Sequence, residues 1–342
     1  MGRVVNGYEL FAELGRGSYG SVYRARRNGV WYAVKEQKPR EAGVLPASIL
    51  REASIVLNAR HPCVLRGYEV FCEQGLYYTV LACGATTLNQ WLRECYANHE
   101  APSIAFHILC ALVFLHDAQI VHGDLKPANI ILFPQSGLCV ADFGLSKRGG
   151  GIGSIQSVWW RAPEVCGEQA HGIAADMWSF GIILYQLFTR TMLFTETDPV
   201  RLLQLQRTNP RPFRSEDTNL TELINGCLEL DPLRRLTARQ ALASPLFSKW
   251  RAPEGYWLST PLCRSLPYEH TARVRRHSTS DAAALFALDL LERLGSSERN
   301  EVIACSYLAS LLVDGRYPEY SSPVLQAIIW QLALRLEWRF YR

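Results

Sequence analysis

The stretch VHGDLKPANIILFPQSGLCVADFG, residues 121–144, groups several chemically reactive side chains. Asp124 and Asn129 stand five residues apart, and Asp142 follows thirteen residues after Asn129, where it begins an Asp-Phe-Gly triplet. Each residue taken singly is ordinary, because Asp and Asn favour turns and a histidine such as His122 is more often packed in a core than catalytic. Their joint order is highly specific, so it guides the interpretation of the rest of the chain.

This order suits the transfer of a phosphoryl group. That reaction needs metal ligands to neutralise the phosphates, a carboxylate to orient a hydroxyl and accept its proton, and a cation on the transferred group. Asn129 and Asp142 are the predicted magnesium ligands. Asp124 suits the hydroxyl, and Lys126 suits the γ-phosphate. The predicted cofactors are therefore ATP and Mg²⁺.

A glycine-rich segment lies upstream, between two strand-like runs. It fits the pattern G-x-G-x-x-G-x-V, in which backbone amides close over phosphates because no Cβ stands in the way. A plain glycine hairpin and a dinucleotide-binding loop are the alternatives. A dinucleotide-binding loop should open a helix, however, and this segment enters the strand-like run Ser21-Val22-Tyr23. The predicted phosphate-binding positions are Gly15, Gly17, Gly20 and Val22.

A lysine follows at the end of an apolar strand. Lys35 closes the run Tyr32-Ala33-Val34-Lys35, so its neighbours are predicted to be buried while its ammonium reaches inward toward an anion. The next helix supplies Glu52, whose carboxylate can hold that ammonium against ATP phosphates. A surface lysine is the alternative. The predicted nucleotide site thus includes Ala33, Lys35 and Glu52.

The pattern of elements changes after Gly84. Short aromatic and β-branched runs with glycine-containing turns fill residues 8–81, which predicts a small antiparallel sheet with one helix. Longer helical stretches follow, such as 103–116 and 176–188, and they predict a helical lobe. The fold class is therefore α+β, and the predicted division is 1–83 (β-rich lobe), 84–250 (helical lobe), 251–280 (linker with a basic run) and 281–342 (helical extension).

Composition limits the partners and the compartment. The 342 residues carry 36 basic and 32 acidic side chains, a net charge of +4, so bulk charge predicts neither a nucleic-acid nor a membrane partner. The ten cysteines form no C-x-x-C pair and are predicted to be mainly buried, reduced thiols. The first residues lack a signal-peptide apolar stretch, and the most apolar segment, 178–188, is too short to cross a bilayer. We expect an intracellular protein of the cytoplasm, the nucleus or both.

From Tyr8 to Phe247 the chain resembles the eukaryotic protein kinases. Besides the motifs already quoted, the resemblance rests on Ala162-Pro163-Glu164, on Asp176-Met177-Trp178-Ser179-Phe180-Gly181 and on Arg235. It implies a two-lobe fold, protein substrates, and a buried ion pair between Glu164 and Arg235.

The same resemblance assigns further site residues. Lys126 is typical of the serine/threonine branch, and Ser157 stands where that branch places a hydroxyl that bridges the catalytic aspartate and lysine. Leu81 takes the gatekeeper position, and Cys83 lies in the hinge whose backbone meets adenine.

Two segments are similar to the cyclin-dependent kinases. Residues 44–52 resemble their cyclin-binding helix, which implies a cyclin-like activator that binds around Arg51 and Glu52. Residues 159–164 resemble their Trp-Tyr-Arg-Ala-Pro-Glu segment, and Arg161 there implies a pocket that favours proline directly after the phosphorylated residue.

Two departures concern activation. Gly123 replaces an arginine that pairs with an activation-loop phosphate in most of the family, and residues 146–157 are short and glycine-rich, without the usual threonine. We therefore expect activity without activation-loop phosphorylation, although Ser154 or Ser157 can be phosphorylated for another purpose. A pseudokinase scaffold is the alternative from another class.

The tail from about residue 281 faintly resembles consecutive helices of a cyclin box. A small helical extension packed on the large lobe is the simpler alternative. The basic run at 273–277 suits either a nuclear-localisation patch or a solvated linker, of which the linker is the simpler interpretation.

Overall fold

The computed structural model describes residues 3–17, 20–38, 47–57, 59–94, 100–133, 137–148, 157–167, 171–208 and 213–250. These residues form two compact units. The first holds the described parts of Met1–Arg60 and Arg66–Cys83, and the second holds His61–Leu65 and the described part of Gly84–Ser259. The predictions for the linker, the C-terminal extension, Ser154 and the glycines at 149–153 lie outside the described residues.

The first unit is an antiparallel sheet with one helix. Its strands follow the order β1-β2-β3-β4-β6-β5. Their bounds are β1 (Val4–Val5), β2 (Tyr8–Gly17), β3 (Gly20–Arg27), β4 (Val30–Gln37), β5 (Gly67–Glu73) and β6 (Leu76–Ala82). The helix α1 (Ala47–Val56) lies between β4 and β5 in the chain and contacts β5 and β6.

Tight turns set the register of this sheet. Three hairpins are closed by two-residue turns in which both residues have positive φ: Asn6-Gly7, Asn28-Gly29 and Gln74-Gly75. Turns of this kind match the right-handed twist of the flanking strands, and glycine at the second position adopts the required φ without strain. Asn6-Gly7 and Asn28-Gly29 have the sequence most typical of such a turn, and Gln74-Gly75 keeps the glycine at the second position.

One face of the sheet carries an apolar cluster. It consists of Val5, Tyr8, Leu10, Ala25, Val34, Tyr78 and Val80. On β4 the alternate residues Ala33 and Lys35 are also buried, and their side chains point to the opposite face because successive side chains alternate along a strand. α1 buries Ile49, Glu52 and Val56, which recur at helical spacing.

The second unit is mainly helical. Its elements are β7 (Thr86–Thr87), α2 (Leu88–Glu94), α3 (Ala101–Asp117), β8 (Ile120–Val121), β9 (Ile130–Phe133), β10 (Gly137–Val140), β11 (Lys147–Arg148), α4 (Pro163–Cys166), α5 (Ile173–Thr189), α6 (Pro199–Thr208), α7 (Thr218–Cys227) and α8 (Ala238–Leu242). The predicted helices at 103–116 and 176–188 are present, and each extends beyond its predicted bounds at both ends. No helix in the described part of the chain is long and apolar enough to span a membrane.

The cysteines follow the prediction in part, since Cys83, Cys139 and Cys166 are only half-buried. The seven cysteines within the described residues are free thiols, and Cys63, Cys110 and Cys227 are buried. Burial raises the pKa of Cys227 to about 12, so this thiol stays protonated. Cys72 is exposed, because it lies on an outward-facing position of β5.

Candidate active site

The sheet register of the first unit brings the predicted nucleotide-site residues together. Gly15 is the cross-strand partner of Val22, and Val22 is in turn the partner of Lys35. Two residues before Lys35 on β4, Ala33 is paired with Leu81, and Cys83 lies two residues beyond Leu81. Gly15, Val22 and Lys35 thus lie side by side across three strands, and Ala33 lies beside Leu81 in a neighbouring row.

Lys35 and Glu52 form a buried ion pair. The Lys35 Nζ donates to Glu52 Oε1 at 3.1 Å and to Oε2 at 2.9 Å. The side chains are 10% and 2% exposed, so each charge depends on the other for compensation. The helix α1 carries Glu52, and this pair links α1 to β4.

The glycines of the glycine-rich segment differ in whether the neighbouring atoms leave room for a side chain. Gly20 has φ +142°, and a Cβ there would lie 1.9 Å from the Glu36 carbonyl oxygen, so the fold admits only glycine. Gly15 and Gly17 have open space where a Cβ would stand. Contacts among the described residues therefore do not require glycine at these two positions.

In the second unit, Asp124 is the centre of a hydrogen-bond network. Its Oδ1 accepts from the Ser157 Oγ at 2.9 Å and from the Ser157 amide at 3.0 Å. Its Oδ2 accepts from Lys126 Nζ at 2.6 Å and from Asn129 Nδ2 at 3.2 Å. Lys126 also donates to the Ser157 Oγ at 2.7 Å. The structure therefore brings Asp124, Lys126 and Ser157 together.

Asn129 and Asp142 are neighbours across two strand ends. The Ala141 amide donates to the Asn129 carbonyl oxygen at 2.8 Å, which sets Asp142 one residue away. The Asn129 Nδ2 donates to the Asp124 backbone oxygen at 2.8 Å, so the amide nitrogen of Asn129 is engaged within the protein. Amide and carboxylate oxygens are hard ligands that fit Mg²⁺. Asp142 has a left-handed φ of 65°, a backbone strain that is common at functional sites.

A buried carboxylate from α5 holds the backbone directly before Asp124. Asp176 accepts from the amides of His122 at 2.8 Å and Gly123 at 3.0 Å, and from His116 Nε2 at 3.0 Å. Burial alone would raise the pKa of Asp176, but the hydrogen bond and charge of His116, with smaller contributions from His122 and the Gly123 amide, lower it below its ordinary value.

The backbone conformation of Gly123, directly before Asp124, favours glycine. Its φ is +80°, and an added Cβ would lie 3.0 Å from the Leu145 carbonyl oxygen. Any side chain there would meet both backbone strain and a close contact. Glycine at position 123 avoids this strain, and it also means that the arginine expected from the resemblance is absent.

The buried ion pair implied for Glu164 and Arg235 is present. Arg235 Nη1 donates to Glu164 Oε1 at 2.7 Å, and Nη2 donates to Oε2 at 3.0 Å. Arg235 also donates to the carbonyl oxygens of Ala174 and Glu229. It therefore joins the short helix α4 to the first turn of α5 and to the segment between α7 and α8.

Several supporting residues are missed by sequence reasoning. They are His116, which anchors Asp176, and Ser179 and Gln206, which donate to carbonyl oxygens of the segment after Ser157. Thr79 also escapes notice. It is the buried cross-strand partner of Lys35, and its Oγ1 has no hydrogen-bond partner among the described residues.

Comparison with known proteins identifies related chains. Residues 8–247 match the family model described as Protein kinase domain. The chain is also similar to the "Probable CTD kinase subunit alpha homolog" of Encephalitozoon cuniculi (strain GB-M1). The two are 28% identical over 277 residues, an alignment that covers 70% of this chain and 84% of that relative.

Proposed function

This chain belongs to the protein kinase family and is related to the cyclin-dependent kinases, and on that premise we propose that it phosphorylates serine and threonine residues of protein substrates. The family accounts for the two-lobe fold, with a β-rich lobe and a helical lobe. ATP is the phosphoryl donor that membership implies. The choice of Ser/Thr over Tyr is the finer proposal, and Lys126, two residues after Asp124, supports it.

The observation that carries the proposal is the network around Asp124. The Asp124 carboxylate accepts a hydrogen bond from the Ser157 hydroxyl. The same carboxylate would orient the hydroxyl of a substrate residue and accept its proton. Lys126, 2.6 Å from Asp124 and on the same side as Ser157, would place its positive charge on the transferred phosphoryl group.

The other predicted site residues have matching roles. Lys35, held by Glu52, would bind ATP phosphates, under the loop of Gly15, Gly17, Gly20 and Val22. Ala33, Leu81 and Cys83 would line the adenine site. Asn129 and Asp142 would hold Mg²⁺, which neutralises phosphate charge when it is bound.

We further propose that activity needs no phosphate on the activation segment. In many kinases a phosphate pairs with the arginine before the catalytic aspartate, and here that position is Gly123. The segment around Ser157 is instead held by two hydrogen bonds to Asp124, one from the Ser157 amide and one from its hydroxyl. These bonds supply an anchor within the chain.

A cyclin-like activator is the proposed partner. It would contact α1 around Arg51 and Glu52, the helix that carries the partner of Lys35. We also retain the proposal of an intracellular location, in the cytoplasm or the nucleus.

The test is transfer of labelled phosphate from ATP and magnesium to a library of Ser/Thr and Tyr peptides. We expect the wild type to label Ser/Thr peptides, with a preference for proline directly after the acceptor. Asp124→Asn keeps the side-chain shape and removes the base, so we expect a rate lower by about 10²- to 10⁴-fold. Thermal unfolding of both proteins checks that the variant is folded. No transfer by the wild type would favour the pseudokinase scaffold.

A further inference from the structure

The segment Ser157–Arg161 connects the catalytic aspartate to the helix α4. It forms one short helical turn, in which the Trp160 amide donates to the Ser157 carbonyl oxygen and the Arg161 amide donates to the Val158 carbonyl oxygen, both at 3.1 Å. Ser157 fixes its first end on Asp124. A turn of this length has little stability of its own, so the other end also needs support.

Two helices supply that support through side chains. The Ser179 Oγ of α5 donates to the Trp160 carbonyl oxygen at 2.8 Å. The same hydroxyl lies farther, at 3.3 Å, from the carbonyl oxygen of Ala175 in its own helix. The Gln206 Nε2 of α6 donates to the next carbonyl oxygen, that of Arg161, also at 2.8 Å. Two consecutive carbonyls are therefore fixed from two different helices.

Gln206 is an unusual residue at its position. It is 1% exposed and lies on the buried face of α6 with Leu202, whereas its neighbours Leu205 and Arg207 are exposed. A buried position of an amphipathic helix normally holds an apolar side chain. The Gln206 Oε1 has no hydrogen-bond partner among the described residues, which carries a desolvation penalty. Stability alone therefore does not account for a glutamine here.

We propose that Gln206 is a positioning residue for phosphoryl transfer, and that it acts with Ser179 as a clamp on the carbonyls of Trp160 and Arg161. This inference rests on the proposed function. The clamp keeps the segment after Ser157 in the conformation that receives the substrate residue next to the acceptor. The clamp would thereby order the activation segment, which is the role that a phosphate on this segment has in many kinases.

The test compares Gln206→Met with the wild type. Methionine has a similar length and no N–H donor, so it releases the Arg161 carbonyl. It also removes the unpartnered Oε1, so the two effects on stability oppose each other and the melting temperature should change little. Gln204→Met is the matched control, because it makes the same substitution on an exposed position of the same helix.

The first measurement is amide hydrogen exchange, which does not depend on kinase activity. Loss of one neutral hydrogen bond should speed exchange of the Trp160 and Arg161 amides by about three- to tenfold in Gln206→Met. Gln204→Met should match the wild type. Equal exchange in all three proteins would overturn the clamp.

The second measurement is steady-state kinetics with two peptides that carry proline or alanine after the acceptor serine. We expect Gln206→Met to raise KM for the proline peptide by about three- to tenfold, the factor that one neutral hydrogen bond supplies. The preference for proline over alanine should weaken. KM for ATP should stay unchanged. A fall in kcat with both ATP and peptide affinity altered would indicate general damage and overturn the positioning role. If the wild type transfers no phosphate, the proposed function fails, and the exchange measurement still decides whether the clamp exists.

Discussion

Gly123 is the residue where backbone strain can be tested directly. We expect Gly123→Ala to lower the free energy of unfolding by about 1–3 kcal/mol, because alanine resists a φ of +80° and its Cβ would press on the Leu145 carbonyl oxygen. Urea denaturation measures the change. Gly15→Ala is the control, since Gly15 has no positive φ and, among the described residues, no atom within 4 Å of an added Cβ. Equal loss in both variants would show that the strain argument is wrong.

Asp176 predicts a specific dependence of stability on pH. Its native pKa is lower than its ordinary value of 3.8, so the folded protein favours the ionised carboxylate. The stabilisation is present above the ordinary value and is lost as pH falls through it toward the lower native pKa.

Denaturation of the wild type and Asp176→Asn from about pH 6 to about pH 3 tests this linkage. The wild type should be the more stable protein at the upper end, and the difference should shrink below about pH 4. The ion-paired surface residue Asp117 provides the control, because Asp117→Asn should show a much smaller difference. A difference between the wild type and Asp176→Asn that stays constant across the range would contradict the linkage.

At the scale of single residues, the sequence predicts a candidate site because the residues concerned stand close together in the chain. Asp124, Lys126 and Asn129 lie within six positions, so a local pattern contains them. Supporting contacts span much longer separations, such as 60 positions between His116 and Asp176 and 45 between Arg161 and Gln206. No local periodicity encodes such contacts, since they form only when helices pack.

Among the elements, the short helix α4 depends on the ion pair of Glu164 with Arg235. The Arg235 side chain is fully buried, so Glu164→Gln would leave its charge without compensation. We expect a loss of about 3–5 kcal/mol in the free energy of unfolding. Arg239→Met, which breaks an exposed pair with Asp117, should cost only about 0–1 kcal/mol. Chemical denaturation gives both values, and similar losses would argue against the special role of burial.

The sequence also predicts elements better than their ends. Asn28-Gly29 identifies its hairpin because the turn chemistry is local. The helix α5 begins at Ile173, three residues before the predicted start at Asp176, and Gly172 precedes it without a side-chain cap. Apolar packing of nearly the whole helix, rather than a capping signal, extends it.

At the scale of the whole molecule, the main prediction is that activity survives dephosphorylation. Treatment of the purified protein with a broad-specificity phosphatase, followed by inhibition of the phosphatase, should leave the rate of peptide phosphorylation largely intact. The reason is that the Ser157 segment is anchored on Asp124 and by the clamp, and Gly123 offers no cation for a phosphate. Mass spectrometry confirms removal of phosphate. A collapse of the rate after complete removal would contradict the idea.

The Asp124 carboxylate has a further consequence for the enzyme between substrates. Four hydrogen bonds from Ser157, Lys126 and Asn129 already engage both of its oxygens. On the proposed function, a peptide hydroxyl would join Ser157 at this carboxylate because the bound peptide holds it in place. A lone water molecule has no such support, so on the proposed function it should compete poorly for Asp124. Without a peptide, the protein should therefore hydrolyse ATP very slowly. Ser157, which would help to position a protein substrate, would also protect ATP from hydrolysis by water.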